Sequence, residues 1–365
     1  MSCRVARGIA GGWAWVVFLP LSLAVAKGAS PEKKDKDDDV DISLYGRFWP
    51  RLTFRDGSQS STDITDALSR VGIAAKSEVT DSVTALLTGE WDVDIEANGD
   101  FGDARQAFAG LQSTDYGLVA IGKQWDPHYN VVAQVTDVYY HRSSPFGYDY
   151  EGPYRTNNLV RYAHSFKGFK VDASVQVNGE LQDGAGQDRI FRTNAGVSTA
   201  PDHVDAASVG IGHRYGPVYL GVSYLRQSGA IARDEELRRN IFGVGGSWDV
   251  TEDLYLAFTY QKIDHDFVKQ DERSLVDNRA PYTFDILASC SLGRGYRVIA
   301  GLFAYDDDRD GFASDRVLGS NLTLTKELNS SMDVFVEWLQ RDFRKRENVS
   351  TFSLGFRFDF DAAIF

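Results

Sequence analysis

Cysteine, proline and long apolar runs are all scarce in this chain. Its 365 residues include two cysteines and nine prolines, and one cysteine, Cys3, lies in an N-terminal stretch that we expect to be removed. Cys290 would then have no internal partner, so the fold cannot depend on a disulfide. No run of about eighteen apolar residues occurs after residue 25, which predicts a mature chain without a transmembrane helix. The formal net charge of −13 argues against nucleic acid as a partner.

The N-terminus has the three parts of a secretory signal peptide. Arg4 and Arg7 form a basic start, Gly8–Val25 is the apolar stretch, and Ala24-Val25-Ala26 supplies the small residues of a cleavage site. An uncleaved membrane anchor is the alternative interpretation. The cleavage pattern at the end of the apolar run favours the signal peptide.

Three segments follow from this interpretation. Residues 1–26 are the signal peptide, residues 27–40 a polar lead-in without pattern, and residues 41–365 the folded domain. Removal of the signal peptide takes away two positive charges, so the mature chain would carry −13 − 2 = −15.

From Ser43 onward, apolar side chains recur at every second position. The stretches VDASVQVN (171–178), EDLYLAFTYQK (252–262) and TFSLGFRFDF (351–360) all alternate in this way. In the last, phenylalanine and leucine alternate with serine, glycine, arginine and aspartate. A period of two predicts half-buried β-strands instead of helices.

Many of these runs last about ten residues or more, the length that a tilted strand needs to cross a bilayer. Strands of a soluble sandwich have about five or six residues. We therefore predict an all-β fold, a transmembrane antiparallel barrel with apolar faces towards lipid and polar faces towards a wet lumen. The sixteen predicted strands are centred near residues 43–55, 67–77, 81–95, 104–112, 115–124, 153–163, 169–179, 204–214, 217–228, 237–248, 252–263, 281–292, 295–305, 313–327, 330–343 and 349–360.

Short and long connections alternate between these strands, as they do in outer-membrane barrels. An even number of strands then places both chain ends and the tight turns on the periplasmic side. The tight turns are predicted at Val79–Asp81, Ser165–Gly168, Tyr215–Gly216, Asp249–Thr251, Gly293–Arg294 and Leu328–Asn329. The longer loops are predicted at 56–66, 96–103, 125–152, 180–203, 229–236, 264–280, 306–312 and 344–348.

Four sequence blocks, in order, resemble the general diffusion porins of the Gram-negative outer membrane. They are LYGR (44–47), SRVGIAAKSEV (69–79), ARQAFAGLQS with YGLVAIGKQWDPHY (104–129), and RTNNLVRYAHSFKGFKVDASVQ (155–176). The resemblance extends from about Ser43 to Phe360. It implies a trimer of sixteen-stranded barrels, each with a loop after the fifth strand that folds into the lumen.

The resemblance also implies the residues of the narrowest point of the pore. The family has basic residues on the wall that face acidic residues on the inward loop, here about 125–152. The matching positions are Arg47, Arg70, Arg105 and Arg155 on the wall and Asp137 on the loop. Arg47, Arg70 and Arg155 are out of phase with the apolar rows of their strands, which predicts that they point to the lumen. An arginine facing lipid at mid-bilayer would cost about 2–4 kcal/mol.

The second acidic position of the family falls on His141, which departs from the pattern. Because the loop looks longer here, Asp149 or Glu151 could take that place instead. Four arginines against a single aspartate would favour anions at the narrowest point, whereas the acidic total charge would concentrate cations at the mouth. We expect a weak or mildly anionic preference.

No cofactor, resident metal or catalytic residue is predicted. Asp306, Asp308, Asp310 and Gly311 match the first half of a calcium loop, but its twelfth position is Val317. An acidic outer loop that contacts lipopolysaccharide through divalent ions is the preferred interpretation.

The predicted function is passive diffusion of small hydrophilic solutes and ions across the outer membrane. The predicted partners are those solutes, outer-membrane lipid and lipopolysaccharide, and two further copies of the chain in a homotrimer. One alternative is a substrate-selective porin for oligosaccharides or phosphate-like anions. Another is an outer-membrane enzyme or adhesin with a plugged barrel, for which Ser143 and His141 would be the candidate residues.

Overall fold

The computed structural model describes most of the predicted domain. The described residues are 40–57, 59–96, 99–142, 144–179, 203–232, 235–269, 280–308, 316–345 and 347–364. The predicted signal peptide, nearly all of the lead-in, Ser143 and Phe365 lie outside them, as do parts of the predicted loops at 180–203, 264–280 and 306–312.

The described residues form sixteen strands, of which the first two are each interrupted once. The strands are β1 (Val40–Phe48 and Pro50–Asp56), β2 (Ser61–Asp66 and Arg70–Thr80), β3 (Val83–Val93), β4 (Phe101–Ser113), β5 (Gly117–Trp125), β6 (Arg155–Phe166), β7 (Phe169–Gly179), β8 (Val204–Tyr215), β9 (Val218–Ala232), β10 (Glu235–Asp249), β11 (Leu254–Lys269), β12 (Tyr282–Gly293), β13 (Tyr296–Asp306), β14 (Arg316–Asn329), β15 (Met332–Phe343) and β16 (Val349–Ala363). One short helix, α1 (Pro127–Val131), and two 3₁₀ turns, Ala133–Val135 and Tyr148–Tyr150, lie between β5 and β6. Within the described ranges, no helix is long and apolar enough to span a membrane.

Each strand pairs antiparallel with the next, and β16 pairs with β1, so the sheet closes on itself. Closure leaves no open edge, and every strand finds ladder partners on both sides. The predicted all-β barrel of sixteen antiparallel strands is confirmed.

The break in β1 occurs at Trp49, immediately before Pro50. Pairing with β16 keeps one register across the break, from Phe48 opposite Phe358 to Arg51 opposite Gly355. The extra residue lies in the neighbouring strand β2, where residues 67–69 leave the ladder. Trp49 is held there by its N–H, which donates to Ser69 Oγ at 2.8 Å, and by its carbonyl, which accepts from Ala67 N at 3.1 Å.

Two predicted long loops are wrong, because the strands beside them are longer. Strand β2 begins at Ser61 instead of near 67, and β9 and β10 extend to Ala232 and Glu235. The predicted loops at 56–66 and 229–236 are therefore short connections. The Ser61–Asp66 segment continues the ladder with β1, but Ser61, Thr62 and Asp63 are polar and exposed. A strand that projects beyond the lipid needs no apolar row, so periodicity did not reveal it.

The outer faces of the strands are apolar and exposed, as the alternation predicted. On β7, Val175 and Val177 are 47% and 61% exposed, whereas the alternate residues Asp172, Ser174 and Gln176 are buried inside the barrel. A continuous exposed apolar surface of this kind requires lipid around it.

Part of the inner face differs from the predicted polar lumen. On β11 to β15 many inward side chains are apolar, and they pack against the segment between β5 and β6. This cluster, called the loop core below, consists of Trp49, Ala67, Tyr139, Tyr140, Phe146, Ala257, Leu287, Ile299, Phe303, Tyr305, Val317, Phe335 and Leu339. A hydrophobic core therefore fills one side of the lumen.

Burial of the outer face in lipid predicts a depth-dependent penalty for charge. Leu322 lies at the middle of β14 and is exposed outward, whereas Leu328 lies near the end of the same strand. Leu322→Arg should lower the free energy of unfolding by about 2–4 kcal/mol and Leu328→Arg by less than about 1 kcal/mol. Denaturant unfolding of the protein in vesicles measures both; equal losses would contradict a membrane-embedded outer face.

Candidate functional site

The segment 126–154, called the inner loop below, leaves β5 after Trp125 and returns to β6 at Arg155. Its two ends are tied together, since Asp126 N donates to Tyr154 O at 2.8 Å and Trp125 pairs with Arg155. Asp126 also caps α1 by accepting from His128 N at 2.7 Å. Proline at the first helical position does not destabilise the helix, because a backbone N–H at this position would have no hydrogen-bond partner within the helix.

Polar side chains of the wall fasten the first half of the inner loop. The His128 ring lies between Ser223 Oγ, at 2.7 Å from Nδ1, and Gln261 Oε1, at 2.8 Å from Nε2. The Tyr219 hydroxyl donates to Val131 O at 2.9 Å. Burial of His128 lowers its pKa to about 4, so the ring is neutral at physiological pH.

Glycines on the wall make room for this half of the loop. A Cβ at Gly221 would collide with the carbonyl of Val131, and one at Gly245 with the carbonyl of Val132. The inner loop therefore lies directly on the backbone of β9 and β10. Such close approach is available only where the wall has no side chain.

Two wall carboxylates receive backbone N–H groups from the second half of the loop. Asp285 accepts from Gly147 N at 2.8 Å and from Tyr148 N at 2.9 Å, one on each oxygen. Glu337 Oε2 accepts from Tyr140 N at 3.1 Å. These bonds matter because a buried N–H without an acceptor costs about 1–3 kcal/mol.

Aromatic residues wedge the loop into the barrel. Phe146 packs between Tyr139 and Phe303, with ring centroids 4.7 and 5.0 Å apart. Near the joined ends of the loop, Tyr129 stacks on Trp125, with ring centroids 4.2 Å apart. The loop tyrosines 139, 140 and 148 are buried, so they serve packing and offer little surface to a passing solute.

A cavity of about 1070 Å³ lies between the inner loop and the opposite wall. It extends from the loop to the turns at 165–170 and 249–255. The structure places five of the six predicted site residues on its lining: Arg47, Arg70, Arg105, Arg155 and Asp137.

Arg47 belongs to a chain of ion pairs that connects the first strand of the barrel with the last two strands. Arg47 binds Asp359 with Nε to Oδ1 at 2.5 Å, and Arg357 Nε lies 3.2 Å from Oδ2 of the same carboxylate. Arg357 also pairs with Asp333 at 2.5 Å. Trp49 lies beside both guanidinium groups, at 5.1 Å from Arg47 and 5.6 Å from Arg357.

Two further arginines share one buried glutamate. Arg105 donates to Glu90 Oε1 and to Asp92 Oδ1, both at 2.7 Å, while Arg70 Nε lies 3.6 Å from Glu90 Oε2. The counter-charge for these arginines therefore comes mainly from the wall itself. The resemblance predicts acidic residues of the loop in that role.

Arg155 and Asp137 each contact an aromatic residue. The Arg155 guanidinium lies over the Trp125 ring at 4.1 Å, and no carboxylate of the described residues lies within ion-pair distance of it. Asp137 accepts a hydrogen bond from the Tyr129 hydroxyl. Burial raises the pKa of Asp137 above its usual value of 3.8.

The three candidates for the second acidic position occupy different places. Asp149 lines the cavity. Glu151 is buried and faces the wall, where Tyr305 OH donates to it at 3.1 Å and His265 Nε2 lies 3.3 Å away. His141 packs against Phe146 and does not belong to the cavity lining.

Sequence reasoning missed the acidic partners Glu90, Asp92 and Asp359, and the additional arginine Arg357. All four occupy inward positions of strands in which apolar and polar residues alternate. An inward position alone is a weak signal that a charged residue belongs to the site. Their pairing depends on strand register and on the closure of β16 against β1, which brings Arg47 and Asp359 together across 312 positions of sequence.

The sequence has a clear match to a family model described as Gram-negative porin, over residues 21–311. The chain belongs to the Gram-negative porin family. The predicted porin function and the predicted outer-membrane location are confirmed.

Individual porins are similar at low identity. Outer membrane porin F of Xenorhabdus nematophila is 32% identical over 122 residues, which is 32% of this chain and 32% of that protein. The outer membrane porin OmpD of Salmonella typhimurium is 23% identical over 377 residues, covering 91% of this chain and 93% of that protein. The solved structure of OmpT of Vibrio cholerae, described as a trimer form, has a TM-score of 0.67 and 15% identity, covering 88% of this chain and 100% of that chain.

The hydrogen bonds from Gly147 N and Tyr148 N to Asp285 predict that Asp285→Ala has a local effect. The barrel should still fold, but the amides of Gly147 and Tyr148 should exchange hydrogen faster by about tenfold or more, because they lose a buried charged acceptor. Hydrogen exchange read by mass spectrometry measures this segment. Asp264→Ala, at an exposed position of β11, is the control, and unchanged exchange in Asp285→Ala would contradict the tether.

The raised pKa of Asp137 predicts a pH-dependent ion selectivity. As pH falls, Asp137 takes up a proton at a higher pH than an exposed aspartate, so the cavity loses one negative charge and the preference for anions increases. Reversal potentials in a salt gradient at several pH values should show this shift. Asp137→Asn should be more anion-selective at neutral pH and lack the first part of the shift; a profile identical to the wild type would contradict the assignment.

Proposed function

We propose that the protein lets small hydrophilic solutes and ions diffuse passively through the cavity beside the inner loop, with the loop as the constriction. The observation that carries the proposal is the convergence of Arg47, Arg70, Arg105, Arg155 and Asp137 on one cavity at the level of the loop. A charged lining inside an apolar shell is what a hydrated solute requires.

The constriction is narrow. Arg47, Arg70 and Arg105 line the cavity, yet they are only 8%, 7% and 3% exposed. The loop core occupies the opposite side of the lumen. A sixteen-stranded barrel would otherwise enclose a wide channel, so the loop sets the size limit for solutes.

The charge balance of the cavity supports a preference for anions. The lining residues include ten arginines and lysines but six aspartates and glutamates, of which Asp149 is the second acid on the loop. The acidic chain as a whole attracts cations to the mouth, but selectivity is decided where the field is confined by low-dielectric walls.

The assembly is proposed to be a homotrimer embedded in outer-membrane lipid and lipopolysaccharide. The exposed apolar rows on the outer faces of the strands support burial in lipid. The trimer form of the related V. cholerae protein supports the oligomeric state. No reaction is proposed: Ser143 lies outside the described residues, and His141 packs against Phe146, away from the cavity lining.

Single-channel recording in a planar bilayer tests the proposal. Purified protein in a KCl gradient should give current steps that close in threes, with a reversal potential that favours chloride over potassium. Arg105→Gln should shift the reversal potential towards potassium, because Glu90 and Asp92 lose a partner cation.

The matched control is Arg214→Gln. Arg214 lines the part of the cavity beside the turns at 165–170 and 249–255, where it is half exposed and pairs with Asp249 at 3.2 Å. This variant should change the reversal potential much less than Arg105→Gln. A silent bilayer from well-folded protein would refute the open channel. A potassium preference that neither variant alters would refute the role of the arginines.

A further inference from the structure

The wall strands β9 and β11 carry two tyrosines that differ from the tyrosines of the inner loop. Tyr219 and Tyr255 both line the cavity and are half-buried, whereas the loop tyrosines 139, 140 and 148 are buried. The part of the cavity beside Tyr219 and Tyr255 includes the turn at 249–255. It lies on different strands from the arginines of the constriction, which belong to β1, β2, β4 and β6.

Each of the two rings is held in place through its hydroxyl group. Tyr219 OH donates to Val131 O of the inner loop at 2.9 Å. Tyr255 OH donates to Val135 O at 2.7 Å. Gly212 leaves room on the wall for the Tyr219 ring, since a Cβ there would collide with the hydroxyl end of that ring. A ring fixed in this way loses little conformational freedom when a solute packs against it.

Polar groups of several kinds border the two rings. Gln134 also lines the cavity, and it lies in the loop between the two residues whose carbonyls accept the tyrosine hydroxyls. The Arg214 guanidinium lies over the Tyr219 ring at 5.7 Å and pairs with Asp249 at 3.2 Å. The amide, the guanidinium and the carboxylate supply both hydrogen-bond donors and acceptors. Because the charges of Arg214 and Asp249 cancel, this pair attracts neither anions nor cations strongly.

From the two rings and their polar borders we infer that this part of the cavity is a binding subsite for neutral saccharides. The inference rests on the proposed function, because a saccharide reaches the subsite through the channel. A sugar ring has an apolar face of C–H groups, which packs on an aromatic ring, and hydroxyl groups at its edge, which donate and accept hydrogen bonds. Pockets for small solutes combine these two features, aromatic walls and a few well-placed polar groups.

Two rings on alternate strands fit a short chain of sugars better than a single sugar. Only β10 lies between β9 and β11, so the backbones that carry the two rings are roughly 10 Å apart. Ser247 of β10 and Ser289 of β12 also line the cavity and add hydroxyl groups along this path. A saccharide of two or three units can therefore contact Tyr219 and Tyr255 at once.

Single-channel recording with maltotriose, a neutral saccharide of three units, tests the inference. Maltotriose added in KCl solution on the side of the turns should reduce the current in a saturable way. Polyethylene glycol of the same mass should reduce the current less and without saturation, because it has no face that matches the rings. Tyr219→Leu removes one ring, so the apparent dissociation constant for maltotriose should rise about tenfold.

Tyr219→Phe is the matched control, since it loses the hydrogen bond to Val131 O but keeps the ring. Its apparent dissociation constant should stay within about twofold of the wild-type value. The pair Tyr255→Phe and Tyr255→Leu repeats the comparison on β11. Saturation-transfer NMR of maltotriose with the purified protein in detergent gives a reading that needs no conducting channel. A silent bilayer would refute the proposed function, and the NMR signal would still decide whether the subsite exists.

Three results would overturn the inference. Equal reduction of the current by maltotriose and by polyethylene glycol shows exclusion by size alone. Equal dissociation constants for the phenylalanine and leucine variants show that the saccharide does not contact the rings. A saturable response to gluconate without one to maltotriose shows that Arg214 binds anions there instead. Each result can occur in channels that conduct chloride normally, so the inference can fail while the proposed function stands.

Discussion

The inner loop has no ladder of its own, so its backbone must find hydrogen-bond partners on the inner wall of the barrel. Asp285 and Glu337 accept its N–H groups, and Tyr219 donates to one of its carbonyls. Each partner is available only because the wall strands turn polar residues inward at those positions. The position of the inner loop inside the barrel and the place of Asp137 on the cavity lining both follow from this attachment.

The fold could be predicted because a lipid-facing strand has a strict requirement. Every second residue must be apolar over the thickness of the bilayer, and this revealed sixteen strands and their faces, such as Val175 and Val177 outside and Gln176 inside. The requirement ends where the lipid ends, so periodicity does not predict that the polar segment Ser61–Asp66 is a strand. It also says nothing about the inside, where Phe303 packs against the loop instead of facing water.

The candidate site could be predicted only in part, because periodicity shows which way a side chain points and not what it meets. The resemblance to porins supplied the wall arginines and Asp137, and the structure places them on one cavity. Their partners depend on register: Glu90 meets Arg70 and Arg105 because β3 lies between β2 and β4 with a particular offset. A shift of one residue would turn Glu90 towards lipid, and no local pattern around it carries that information.

The way in which the inner loop is attached limits how the channel could open and close. Asp126 N binds Tyr154 O, and the strands on either side pair up to Trp125 and Arg155. The loop could therefore leave the lumen only by breaking the hydrogen bonds between its backbone and Asp285, Glu337 and Tyr219. A change in its shape that keeps these hydrogen bonds must occur within the segment, between α1 and the residues bound to Asp285. The shape and charge of the cavity beside the loop would then change while the barrel around it stays the same.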